Sequence, residues 1–179
     1  MDEKLKRKLT VHIVDDDVFS MEVLGDFLKK KRGENLEVFN FETGEDCIAK
    51  ILEKEPDLVI LDYHLDSKDK SAANGIEILK RINKHHPNVK VIMLSGQAKI
   101  DVAIECMRYG AIDYVVKGET ASLHVSQIIL AIIKSENQSL ELKAYKMGFW
   151  IATSIMAILT SAAIILYAFF PEHTRHLPF

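Results

Sequence analysis

The sequence predicts an α/β fold: a five-stranded, parallel, doubly wound sheet, followed by one C-terminal transmembrane helix. Three observations carry this. Short β-branched runs alternate with segments of helical periodicity over roughly the first 130 residues. The inner runs are apolar throughout, as strands covered on both faces must be. Residues 147–170, "MGFWIATSIMAILTSAAIILYAFF", hold no charged residue.

The elements follow in order. Val11–Val14 reads as a buried strand. From Val18 to Lys31, Met21, Leu24, Phe27 and Leu28 recur at helical spacing, and Gly33 stops that helix. "LEVFNF" (36–41) alternates as a strand, and "GEDCIAKILEKE" (44–55) is helical up to Pro56. "DLVILD" (57–62) is a short apolar run of buried-strand character. Asn74-Gly75 opens a helix carrying Ile76, Ile78, Leu79 and Ile82. "VKVIML" (89–94) is the fourth strand, and "KIDVAIECMRYG" (99–110) is a helix with a glycine stop. "AIDYVV" (111–116) is the fifth strand, and residues 121–134 form the fifth helix. Such alternation demands a parallel sheet with helices on both faces, and ligands then sit beyond the carboxyl ends of the strands.

The uncharged 24-residue segment would make a helix of roughly 36 Å, enough to cross a ~30 Å hydrocarbon core. Thr153, Ser154, Thr160 and Ser161 can bond back to helix carbonyls. Trp150 and Tyr167 stand near its two ends, where interfacial aromatics belong. Lys134, Lys143 and Lys146 precede it, whereas Arg175 alone follows, which puts the N-terminal domain in the cytoplasm. The sequence therefore divides into a domain at 1–134, a helical stalk at 135–146, a span at 147–170 and a short extracytoplasmic tail at 171–179. The charged N-terminus "MDEKLKRKL" lacks an apolar signal-peptide core. A formal net charge of −3 in 179 residues argues against nucleic acid as the main partner. Cys47 and Cys106 lie in separate helices and read as small buried hydrophobes in a reducing compartment.

Polar residues gather at the strand ends. Asp15 and Asp16 follow the first strand, Asp62 ends the third, Ser95 follows the fourth and Lys117 the fifth. Asp17 is placed to cap the next helix. Three carboxylates in one crevice cannot all stay ionised without a cation, and a hard divalent ion such as Mg²⁺ suits oxygen ligands. Ser95 and Lys117 then suggest a phosphoryl ligand, with Asp62 as nucleophile. A lone acidic turn, surface lysine or turn serine would each be unremarked; their convergence gives the reading its force.

The order "VDDD", "LVILDYHL", "VIMLSG" and "YVVKG" resembles the receiver domain of two-component response regulators, over about residues 8–134. The resemblance implies a flavodoxin-like fold and a Mg²⁺ site formed by Asp15, Asp16, Asp62 and the His64 backbone carbonyl. It implies Asp62 as acceptor of phosphate from a sensor histidine kinase or histidine phosphotransfer protein. It implies phosphoryl contacts from Ser95 and Lys117. Tyr114 would be a switch residue coupled to Ser95, signalling through the face of the fourth helix, fifth strand and fifth helix. The sequence departs from the family pattern in three places. The loop "YHLDSKDKSAANG" is longer than usual and lacks a proline, Gly118 stands where a proline is usual, and position 64 is histidine.

After Lys134 the chain has 45 residues, 24 of them in the span. The expected output is thus a protein contact rather than DNA binding, with the stalk available for a homodimer contact. Two other classes compete. A flavodoxin-like binding protein would suffer repulsion between its flavin phosphate and Asp15–Asp17. A Mg²⁺-dependent aspartyl phosphatase would carry a second acid where His64 stands. The receiver reading predicts a phosphoacceptor signalling domain rather than a turnover enzyme.

Overall fold

A computed structural model describes residues 8–65 and 73–169. The strands are β1 (Leu9–Val14), β2 (Leu36–Phe41), β3 (Leu58–Asp62), β4 (Lys90–Ser95) and β5 (Asp113–Val116). The helices are α1 (Val18–Arg32), α2 (Gly44–Glu53), α3 (Gly75–His85), α4 (Ile100–Arg108) and α5 (Ala121–Phe169). Every expected element is present, with ends displaced by at most two residues. The exception is α5, which runs as one helix through the stretch expected to divide into fifth helix, stalk and span. The chain divides into two compact units between Ile129 and Leu130.

In the first unit all strand pairs are parallel, in the order β2-β1-β3-β4-β5. Every residue of β1 and of β3 is buried, the polar Thr10, His12 and Asp62 among them. Each residue alternates between two cores. Val14, Val59, Leu61, Val91 and Met93 meet Cys47 and Ile51 of α2, Ile78, Leu79 and Ile82 of α3, and Cys106 of α4. The opposite parity, Val11, Ile13, Leu58, Ile60 and Ile92, is wholly or almost wholly buried too. On that side α1 and α5 supply buried Met21, Leu24, Leu28, Val125 and Ile129.

Local chemistry fixes the helix starts. Asp17 caps α1 by accepting from the Phe19 N–H, Thr43 caps α2, and Asn74 caps α3 by accepting from the Glu77 N–H. Each side-chain oxygen satisfies a helix-terminal donor that would otherwise go unpaired. Helix α4 differs: its N-cap Lys99 makes no side-chain cap bond, and Cys106 is its one buried residue. Ile100, Ile104 and Met107 of α4 remain exposed.

In the second unit, Leu142–Phe169 is long and apolar enough to cross a membrane, and none of it is buried within the protein. Its hydroxyls close on its own backbone. Thr153 and Ser154 donate to the Trp150 carbonyl, Thr160 to Ala157 and Ser161 to Ile158. The tail at 171–179, and most of the long loop after β3, lie outside the described residues.

Candidate functional site

Strand register assembles the site. Val14 stands opposite Leu61, Asp62 opposite Leu94, and Ser95 opposite Val116. Asp15, Asp62, Ser95 and Lys117 therefore leave four adjacent strands at one level. That level lies beside the point where strand order reverses between β1 and β3, the usual place for a ligand in such a sheet.

Asp15, Asp62 and Ser95 are buried, and Asp16 is half-buried. Oxygens of Asp15, Asp16 and Asp62 lie within 4.8 Å of one another. Lys117 reaches in from β5: its Nζ donates to Asp15 Oδ2 at 2.6 Å and stands 3.1 Å from Asp62 Oδ2. The lysine is thus a cation already set among the acids, a pairing that strand-end reasoning did not specify. Asp15 is also held by the Asp17 N–H, which donates to its Oδ1 at 3.0 Å.

The electrostatics follow. Burial pushes the Asp62 carboxyl above the usual carboxylate range, and the Asp15 charge adds to this, while the Lys117 ammonium pulls the other way. Burial alone would lower the Lys117 pKa, but its bond to Asp15 and the charges of Asp62 and Asp15 raise it instead. Both shifts retain protons in a pocket with surplus negative charge. Asp62 Oδ1 is buried and has no hydrogen-bond partner among the described residues. An orphaned carboxylate oxygen beside two further carboxylates suits a hard divalent cation, which takes oxygen donors.

The other expected residues fall as follows. Ser95 Oγ accepts from the Gln97 N–H at 3.2 Å. Tyr114 is half-buried, packs against the α2–α4 core, and donates its hydroxyl to the Gln97 carbonyl at 2.7 Å. One peptide segment at Gln97 thereby touches both Ser95 and Tyr114. Nothing in the sequence marks Gln97, because its backbone makes both contacts. His64 has an exposed side chain whose ring meets Tyr63 edge-on at 4.7 Å. The Lys117–Gly118 bond is trans, as are all peptide bonds among the described residues.

Gly75 is a positioning residue that the sequence showed only as a helix opener. A Cβ there would stand 2.1 Å from the Asp62 carbonyl oxygen and 2.8 Å from Tyr63 Cα. The Gly75 N–H donates to the Tyr63 carbonyl at 3.0 Å. The start of α3 thus locks the backbone of the candidate nucleophile.

Residues 11–129 match the response regulator receiver domain family. The chain belongs to that family. The chain is 28% identical over 144 residues to the transcriptional regulatory protein ZraR of Klebsiella oxytoca, covering 79% of this chain and 31% of that protein. It is 33% identical over 114 residues to a protein-glutamate methylesterase/protein-glutamine glutaminase of Oceanobacillus iheyensis, covering 62% of this chain and 30% of that protein. The chain thus spans less than a third of these relatives. Among solved structures, the signal receiver domain of a LuxO repressor protein from Vibrio parahaemolyticus superposes with a TM-score of 0.63 at 25% identity, over 74% of this chain and 96% of that one. The receiver domain of NtrX from Brucella abortus gives 0.60 at 26% identity, over 69% and 98%. Receiver domains are signalling phosphoacceptor domains, which imply a histidine kinase or phosphotransfer partner, and they bind Mg²⁺ at an acidic pocket.

Proposed function

We propose that the protein is a membrane-anchored response regulator whose Asp62 accepts a phosphoryl group from a phosphohistidine, with output through protein contacts. The observation that carries this reading is the orphaned, buried Asp62 Oδ1 at the centre of the acidic cluster. A carboxylate oxygen of Asp62 attacks phosphorus; the O–P bond forms as the P–N bond breaks, and the departing imidazole keeps the electron pair. Asp15, Asp16, Asp62 and the His64 carbonyl would hold Mg²⁺. Bound there, the ion would offset negative charge on the transferring oxygens. Lys117 supplies a further fixed cation, and rotation of Ser95 Oγ away from Gln97 turns its hydroxyl, which donates nothing to Gln97, toward a phosphoryl oxygen. Because Gln97 also receives the Tyr114 hydroxyl, that rotation loosens Tyr114 and reaches the exposed α4 face. That face, with Ile100, Ile104 and Met107, is the output surface. The absence of charge over residues 147–170, with Lys143 and Lys146 at its N-terminal flank, supports the anchor and a cytoplasmic receiver.

The test uses the full chain in lipid nanodiscs, incubated with a small acyl-phosphate donor and followed by intact mass. Wild type gains one phosphoryl group in Mg²⁺ and none in chelator; Asp62→Asn gains none. Equal labelling of Asp62→Asn, or indifference to Mg²⁺, would overturn the assignment.

A further inference from the structure

One end of the receiver carries a cationic cluster that the phosphoacceptor chemistry does not use. Helix α1 closes on Lys29, Lys30, Lys31 and Arg32. The three lysines are exposed, and among the described residues none of them is in an ion pair. A helix C-terminus favours basic residues, but that effect fades within the last turn and does not require four in succession. Three acids at the same end are engaged elsewhere: Glu53 pairs with Lys50 at 2.6 Å, Glu55 with His86 at 2.7 Å, and Asp57 accepts from the Thr10 N–H at 2.8 Å. The opposite end holds Asp15, Asp16, Asp17 and Asp62, with Glu45, Asp46, Glu77 and Asp101 in the first turns of α2, α3 and α4. The receiver is therefore electrically polar along its strands, acidic at the site and basic at the far end.

The chain leaves the receiver at that basic end. Helix α5 runs antiparallel to the strands, so its passage from Ala121 toward Ile129 leads away from the acidic site. Arg32 joins the basic cluster to this exit, donating from Nη2 to the Ser126 carbonyl at 3.0 Å.

We infer that Lys29, Lys30, Lys31 and Arg32 form a contact for the anionic headgroups of the membrane in which the chain is anchored. The inference rests on the anchor proposed above. Several lysines or arginines held near an anionic leaflet are drawn to it over about a Debye length, and the acidic end is repelled. A membrane surface is favoured over nucleic acid because the cluster occupies one end only of an acidic chain.

The experiment is lysine acetylation footprinting of the full chain, in nanodiscs of phosphatidylcholine alone or with added phosphatidylglycerol. Exposed Lys99, before α4, serves as internal reference. Labelling of Lys29–Lys31 should slow about threefold or more in the anionic discs, recover in high salt, and leave Lys99 unchanged. In K29Q/K30Q/K31Q, amide exchange over Gly33–Leu36, slowed by anionic lipid in wild type, should become equal in both discs. Equal labelling in the two discs overturns the inference. So does protection by inorganic phosphate in neutral discs, which would mark a site for free anions. Alkaline carbonate separates the two readings: protein retained in vesicles but unprotected defeats the lipid contact alone, whereas protein released by carbonate defeats the anchor and the contact together.

Discussion

His12 is a base enclosed among apolar groups. It lies on β1 at 1% exposure, with Phe39 and Phe41 rings at 5.6 and 4.8 Å and Cys47 Sγ at 3.7 Å from Nδ1. Burial, with the charge of Lys50 adding to it, lowers its pKa from 6.5 to about 4. The native state therefore holds His12 neutral where the unfolded chain is protonated. Its stabilising effect is complete above pH 6.5 and is lost as pH falls toward 4, up to roughly 3 kcal/mol. Cys47 and Cys106 report this cleanly. Both are buried, and burial pushes their thiols up to about 12 and about 11. Urea unfolding of the full chain in detergent, read by pulsed thiol labelling, should show a midpoint that falls between pH 6.5 and 5, less steeply in His12→Phe. Equal slopes in the two proteins would remove His12 as the cause. Residues of this kind mark the limit of sequence reading. Asp15, Asp62, Ser95 and Lys117 were legible because strand ends place them together whatever their rotamers. His12 is not legible in the same way, because alternation along β1 does not say that an imidazole, rather than an apolar side chain, fills an inward position. Gln97 was invisible because it acts through its backbone.

At the scale of elements, the fold was legible almost entirely. Parallel βα units leave a period change at every boundary, and caps such as Asp17 and Asn74 punctuate them. What could not be read is close approach between elements distant in sequence. Gly75 and Gly118 illustrate this, since the sequence marks one only as a helix opener and the other only as standing where a proline is usual. A Cβ at Gly75 would overlap the Asp62 carbonyl, whereas one at Gly118 meets nothing within 4 Å. Gly75→Ala should destabilise the receiver by about 1–3 kcal/mol, because backbone rather than a yielding side chain must move. It should also slow phosphorylation of Asp62 from a small donor. Gly118→Ala should be neutral or stabilise by about 0.4–1 kcal/mol through the unfolded chain. Thiol-labelling midpoints for the two variants decide between these outcomes. Equal effects would mean that the start of α3 yields more readily than its contacts imply. Gly110 is a third type: φ of +94° and Asn83 Nδ2 at 2.3 Å from a Cβ leave it no easy replacement.

At the scale of the whole molecule, two units with opposite solvent preferences share one chain. The receiver satisfies its backbone in a sheet and hides its apolar residues in two cores. Leu142–Phe169 instead satisfies its backbone within one helix and leaves its apolar side chains, Ile155, Ile158, Leu159 and Ile164 among them, more than half exposed. Such a surface is unstable in water over that length and is matched by lipid, where a helix is one of the two structures that leave no backbone group unpaired. The anchor is thus a thermodynamic claim about one segment, separable from receiver chemistry. Ile155→Arg with Leu159→Arg places two like charges one helical turn apart near mid-span. Each should cost about 2.5–3.5 kcal/mol of insertion free energy. The double variant should move from the carbonate-resistant membrane fraction to the soluble or aggregated fraction. Phosphorylation of its Asp62 in detergent should match wild type, since no site residue lies beyond Lys117. Retention in the membrane with both arginines present would show that apolar burial in lipid does not hold this segment there. Loss of phosphorylation would show that the two units are coupled in a way that the register-built site does not require.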